Sequence, residues 1–122
     1  MIKQLSGSKV KVPLMYTKED FNRIKDIVLK DVPSTVGIIL FGSYAKGTAK
    51  EDSDIDVAVL TGKEISRKDK LKILTELRWE AASKGYNTDF ILNDKQDFLN
   101  KSAHPTLAKI ILNEGIYLWK KT

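Results

Sequence analysis

The stretch whose reading decides the fold is residues 36–60, VGIILFGSYAKGTAKEDSDIDVAVL. From Val36 to Phe41 the side chains are β-branched, aliphatic or aromatic apart from one glycine, and the run stops at Gly42. That composition predicts a strand buried on both faces. Gly42 lets a ligand approach the backbone closely. Ser43 then opens a short helix, Ser43 to Thr48, whose first N–H groups and positive end favour an anion such as phosphate. From Asp54 to Leu60 the residues alternate, with Ile55, Val57 and Val59 on one side and Asp54, Asp56 and Ala58 on the other. A second strand therefore carries two carboxylates on one face. Side by side they repel, and the arrangement asks for a cation. Hard divalent ions suit oxygen ligands, Mg²⁺ above all where phosphates complete the coordination. Gly42-Ser43 ends one strand and Asp54 begins the next, so both reach one phosphate when the strands are antiparallel, as the short connection also favours.

Two common ligand loops fail on inspection. Asp52, Asp54 and Asp56 imitate the start of an EF-hand, but Val57 stands where that loop needs glycine and Lys63 where it needs a bidentate glutamate. Gly42 and Gly47 have P-loop spacing, yet Thr48 and Ala49 occupy the positions of the required Lys and Ser/Thr.

Composition bounds the remainder. A chain of 122 residues with 42% apolar content makes one domain with a proper core. No apolar run approaches the ~20 residues needed to cross a bilayer, so no membrane partner is expected. The N-terminus lacks the charged start, apolar core and cleavage site of a secretion signal, which predicts a cytoplasmic location. With no cysteine, disulfides and thiolate metal sites are excluded. The net charge of +5 comes from lysines spread along the chain, a pattern that fits a solvated surface and helps draw an anionic nucleotide while leaving nucleic acid open as a partner.

Along the chain, residues 1–16 contain Val10, Val12 and Leu14 alternating with lysine and proline, which suggests an edge strand or an arm laid on a partner. Thr17 caps a helix bearing Phe21, Ile24, Ile27 and Val28 at helical spacing, and Pro33 ends the segment. Ser66 opens a long helix to about Lys84, with Leu71, Leu74, Leu77 and Ala81 as its inner stripe and Trp79 off it. Tyr86 to Leu92 reads as a third strand, reached by a helical crossover and so parallel to the Asp54 strand. Alternation alone does not fix the face that Asp89 takes. Beyond lie a short helix from Asp94 to Ser102 with Phe98 and Leu99 inward, and another from Pro105 to Asn113, where His104 reads as a helix cap rather than a catalytic base. Ile116 to Trp119 alternates once more.

Gly42-Ser43, ten intervening residues and Asp54-Ile55-Asp56 resemble the signature of the DNA polymerase β-like nucleotidyltransferases, the minimal ones especially. Gly42-Ser43-Tyr44-Ala45-Lys46-Gly47 is similar to that family's Gly-Ser-x-Ala-Arg-Gly, with lysine where arginine is usual, and Ser53-Asp54-Ile55-Asp56 fits its Ser-Asp-x-Asp form. Lysine meets phosphate as a point charge rather than as a bidentate fork. The resemblance runs from Thr17 to Leu92. It implies an α/β (α+β) fold, a small mixed sheet flanked by helices, forming one domain over residues 1–122. Within it, residues 1–16 would be the arm, 17–92 the catalytic core, and 93–122 the C-terminal helices and tail.

For the site, the resemblance implies Asp54, Asp56 and Asp89 as catalytic and metal-binding residues. Gly42, Ser43, Lys46 and Ser53 would be nucleotide-binding, with two Mg²⁺ ions and ATP as donor. It also implies a helical HEPN-type partner in a toxin–antitoxin pair, AMP being placed on a toxin tyrosine. Two other readings stand beside it: a self-sufficient homodimer modifying a small molecule, as aminoglycoside nucleotidyltransferases do, and a non-catalytic binding module that neutralises a partner by covering it.

Overall fold

The structure, a computed structural model, describes residues 15–122. The reading of Val10, Val12 and Leu14 as an arm or edge strand falls outside them. In chain order the elements are α1 (Lys18–Asp31), β1 (Thr35–Phe41), α2 (Ser43–Lys46), β2 (Ile55–Thr61), α3 (Arg67–Ser83), β3 (Thr88–Asp94), α4 (Lys95–Ser102), α5 (Leu107–Glu114) and β4 (Ile116–Lys120). The strands form one sheet in the order β3-β2-β1-β4. β1 is antiparallel to both its neighbours, and β2 and β3 are parallel, as their helical crossover requires. Among the described residues no helix is long and apolar enough to cross a membrane.

Alternation along the strands divides the core in two. Ile38, Leu40, Ile55, Val57, Val59, Phe90 and Leu92 face α1 and α3, where they meet Ile24, Val28, Leu77 and Ala81. Ile39, Ala58 and Leu60 face the other way, against Phe98 of α4 and Ala108 and Ile111 of α5. Both faces of the central strands are thus covered, which accounts for their near-continuous apolar sequence. Each fully buried Leu, Ile or Phe contributes about 1.5–3 kcal/mol by leaving water.

Local signals fix the helix ends. The Asp20 carboxylate reaches back to accept the Thr17 N–H at 2.7 Å. The Ser66, Asp94 and Thr106 side chains accept the Asp69, Asp97 and Lys109 N–H groups at the starts of α3, α4 and α5. The expectation that His104 caps the last helix is therefore corrected. Thr106 takes that place because its hydroxyl reaches the first turn, while the His104 carbonyl accepts the Thr106 N–H in the preceding turn.

Other expectations are also revised. Leu71 is 60% exposed rather than part of the inner stripe of α3. Successive three-residue steps rotate the face, leaving Leu71 about 120° from Leu77 at 3.6 residues per turn, whereas Ile73, four residues before Leu77, packs on the core. Leu99, one residue and so about 100° round the helix from buried Phe98, is 40% exposed. The alternating segment from Ile116 is a strand of the sheet, paired through Tyr117 and Trp119 with Ile39 and Ile38. Trp79, off the inner stripe as read, is 78% exposed.

Where α1 meets α3, Asp31 shares a hydrogen bond with Glu80, whose carboxylate accepts Lys30 Nζ at 2.6 Å. Burial, and then the hydrogen bond with Glu80 and its charge, push Asp31 up to about 6. Its folded value exceeds its unfolded one, so ionising it opposes folding. The penalty is absent below pH 4, grows between pH 4 and 6 and is complete above. Asp31→Asn keeps a donor for Glu80 and removes that charge. Allowing for solvent screening at this partly exposed position, the change is expected to stabilise the protein at pH 8 by roughly 1 kcal/mol, about 4 °C in Tm, with the gap to wild type closing by pH 4. Thermal melts of both proteins across that range check it.

Candidate active site

The hydrogen-bond register builds the site. Phe41 at the end of β1 is paired with Asp56 of β2, and Asp56 with Asp89 of β3. Neighbours in register share a face, and Phe90 belongs to the α1/α3 face while Ile91 lies against the α4/α5 side. Asp89 therefore stands on the face of Asp56, which resolves what alternation left open. Asp54 immediately precedes β2, and the Ile55 N–H donates to the Asn87 carbonyl at 2.9 Å, tying the start of β2 to the approach to β3. Gly42, Ser43, Asp54, Asp56 and Asp89 thus gather at one edge of the sheet, with Asp56 and Asp89 on one face.

Asp56 is the electrostatic centre. Burial first, then the Asp89 and Asp54 charges, raise it above the usual aspartate range. Asp54 and Asp89 are exposed, so the acids form an open shelf. Gly42 lies against the Asp56 carboxylate, with φ 72° and ψ −152°. Any other residue there would be strained twice: by a positive φ, and by a Cβ overlapping Asp56 Oδ2. From this turn α2 makes a single helical turn, Ala45 and Lys46 N–H groups both donating to the Gly42 carbonyl. Gly47, at φ 75°, ends it.

Two of the sequence-predicted ligands are placed less centrally. Lys46 is exposed on the last turn of α2 and makes no ion pair among the described residues. Ser53 is engaged in its own loop, its hydroxyl accepting the Lys50 N–H at 2.8 Å while its N–H donates to the Lys50 carbonyl. Sequence reading missed an aromatic wall behind the turn. Tyr44, next to Ser43, packs against Tyr16 and Phe21 with ring centroids 5.8 and 5.6 Å away. The placement of Tyr16 directly before the capping Thr17, and of Tyr44 beside Ser43, was the available signal.

Hard carboxylate oxygens whose charges repel one another suit a divalent cation. Among the described residues, however, no three acidic or histidine side chains are close enough to enclose an ion by themselves. The donor set fits an ion that takes its remaining ligands from phosphate, the habit of Mg²⁺.

A family model of the nucleotidyltransferase domain matches residues 21–118, from α1 into β4. The chain belongs to that family. Over 99 residues it is 33% identical to the protein adenylyltransferase MntA of Shewanella oneidensis, covering 80% of this chain and 63% of that protein. It therefore spans less than two thirds of that relative's length. A chain from a crystal structure of a toxin–antitoxin complex with AMP-PNP superposes with TM-score 0.62 at 23% identity, over 84% of this chain and 74% of that one. Another, from a tri-AMPylated Shewanella oneidensis HEPN toxin in complex with its MNT antitoxin, gives TM-score 0.57 at 20% identity, over 86% of this chain and 74% of that one. At these identities the superpositions establish the mixed sheet and helices, which agree with the nucleotidyltransferase fold expected from the Gly-Ser and Asp-x-Asp segments.

Gly42→Ala is expected to cost about 1–3 kcal/mol from backbone strain alone and to displace Asp56. Chemical denaturation measures the first effect. The second is read from the Asp56 carboxyl resonance by NMR, which is expected to titrate differently from wild type.

Proposed function

We propose that this chain is a Mg²⁺-dependent nucleotidyltransferase that moves AMP from ATP to a tyrosine hydroxyl of a HEPN-type toxin and so acts as its antitoxin. The observation that carries the reading is the row Phe41–Asp56–Asp89, which ends one residue from the Gly42-Ser43 turn. It supports a site with an anion-favouring corner beside repelling carboxylates, the two halves needed to hold a triphosphate. The protein adenylyltransferase name of the Shewanella relative supports AMP transfer, and the AMPylated HEPN toxin in the structural neighbour supports the partner. An open shelf also suits a hydroxyl presented by a macromolecule. On this reading residues 1–122 form one nucleotidyltransferase domain, with its catalytic core in residues 17–92.

In the reaction the acceptor oxygen attacks the α-phosphorus, the bond from that phosphorus to the bridging oxygen of pyrophosphate breaks, and pyrophosphate leaves. Asp89, exposed at the start of β3, takes the proton of the attacking hydroxyl and returns it to solvent. Ser43 and the first N–H groups of α2 hold the triphosphate in line, with Lys46 adding a positive charge and Ser53 keeping the loop before Asp54 in place. Asp54 and Asp56, assisted by Asp89, would hold two Mg²⁺ ions, which when bound neutralise the charge that develops on the α-phosphate and on departing pyrophosphate.

Radiolabel transfer from α-³²P-labelled ATP to a purified HEPN partner tests the assignment. Asp54→Asn, Asp56→Asn and Asp89→Asn are each expected to lower transfer by about a thousandfold. Asp56→Asn should keep or raise Tm, because it removes a half-buried charge. Label transfer that survives both Asp54→Asn and Asp56→Asn would overturn the assignment.

A further inference from the structure

We infer that Tyr16 is a positioning residue that sets the carboxylates against the Gly42-Ser43 turn, an inference that rests on the nucleotidyltransferase reading above. The Tyr16 hydroxyl donates to the Gly85 carbonyl at 3.3 Å and accepts the Asn87 N–H at 3.3 Å. The Asn87 carbonyl accepts the N–H of Ile55, the residue between Asp54 and Asp56, and Asn87 stands two residues before Asp89. One phenol oxygen therefore locates the strand starts that carry all three acids.

The ring of Tyr16 serves the other half of the site. It lies 5.8 Å from the Tyr44 ring and 5.6 Å from that of Tyr86. Tyr44 follows Ser43 directly, so this contact sets the azimuth of α2 and with it the Ser43 hydroxyl. Tyr86 is fixed in turn: its hydroxyl donates to Asp20 Oδ1 at 2.9 Å and accepts from Arg23 at 3.2 Å. Gly85, at φ 90°, makes the turn that carries its carbonyl to the Tyr16 hydroxyl. Ring and hydroxyl thus act on different parts of the site. The ring sets the phosphate corner, and the hydroxyl sets the acids.

That division gives distinct kinetic signatures. Tyr16→Phe keeps the ring and loses the hydroxyl bridge, so kcat for AMP transfer is expected to fall about five- to tenfold while KM for ATP stays within about twofold of wild type. Tyr16→Leu also loses the ring contact and is expected to raise KM for ATP about fivefold or more. Amide hydrogen exchange at Asn87 should be about tenfold faster in Tyr16→Phe than in wild type. Unchanged kcat in Tyr16→Phe, or losses in both variants that match only the unfolded fraction seen in thermal melts, would overturn the inference. If the wild-type chain transfers no label to any acceptor, the nucleotidyltransferase reading fails on its own account. The exchange measurement then still decides the clamp: unchanged Asn87 exchange in Tyr16→Phe removes it, and faster exchange upholds it.

Discussion

The site depends on one half-buried negative charge, which the rest of the structure holds in place at a cost. Asp56 sits in the middle of a sheet row with an apolar neighbour on one strand and another carboxylate on the next, and a glycine backbone covers it where any side chain would collide. A well-packed core alone would favour an apolar residue at this position, since burying an uncompensated carboxylate costs free energy. The raised affinity of Asp56 for a proton expresses that cost. A fold that keeps such a group at the edge of its sheet retains an attraction for cations that folding has not satisfied.

Sheet topology determines what shares the edge with it. β1 runs against β2 and β3, so its C-terminal end meets their N-terminal ends. The positive start of α2 and the acids of β2 and β3 are thereby brought together although the chain separates them by up to 46 residues, from Ser43 to Asp89. In an all-parallel sheet, the C-terminal end of β1 and the N-terminal ends of the other two strands would lie on opposite edges. The apolar content of the strands supports this arrangement, because helices on both faces leave only the edge for chemistry.

Much of this was legible in the sequence, for reasons that differ by element. Period-two alternation after Asp54, the glycine stop after Phe41 and the crossover length before Tyr86 specified strand directions correctly, because each reflects a constraint local to the chain. The register that places Asp89 beside Asp56 was not legible. It is decided by pairing between strands 33 residues apart, and the alternation within Thr88 to Leu92 is compatible with either face. The positions of Leu71, Leu99 and His104 were misjudged where apolar or capping residues lie close together in sequence, so that only tertiary packing chooses between them. The Tyr16–Tyr44–Tyr86 cluster joins residues from three separate segments and has no periodic signature.

The same distinction bears on how the site is held. The Gly-Ser turn and the Asp-x-Asp strand are connected through a loop that ties Ser53 to Lys50. Register with β2 fixes Asp89 along the strand direction, and the segment leading into β3 turns at Gly85 before Tyr86 packs into the core. A contact from outside the sheet then bonds the backbone on both sides of Tyr86, at Gly85 and Asn87. Tyr16 supplies it from the residue before the cap of α1, so the ordering of the first helix and the geometry of the acids are coupled. In a domain whose acids repel one another, this coupling lets packing energy gathered far from the edge, by Ile24, Val28 and Leu77, oppose the tendency of the carboxylates to move apart.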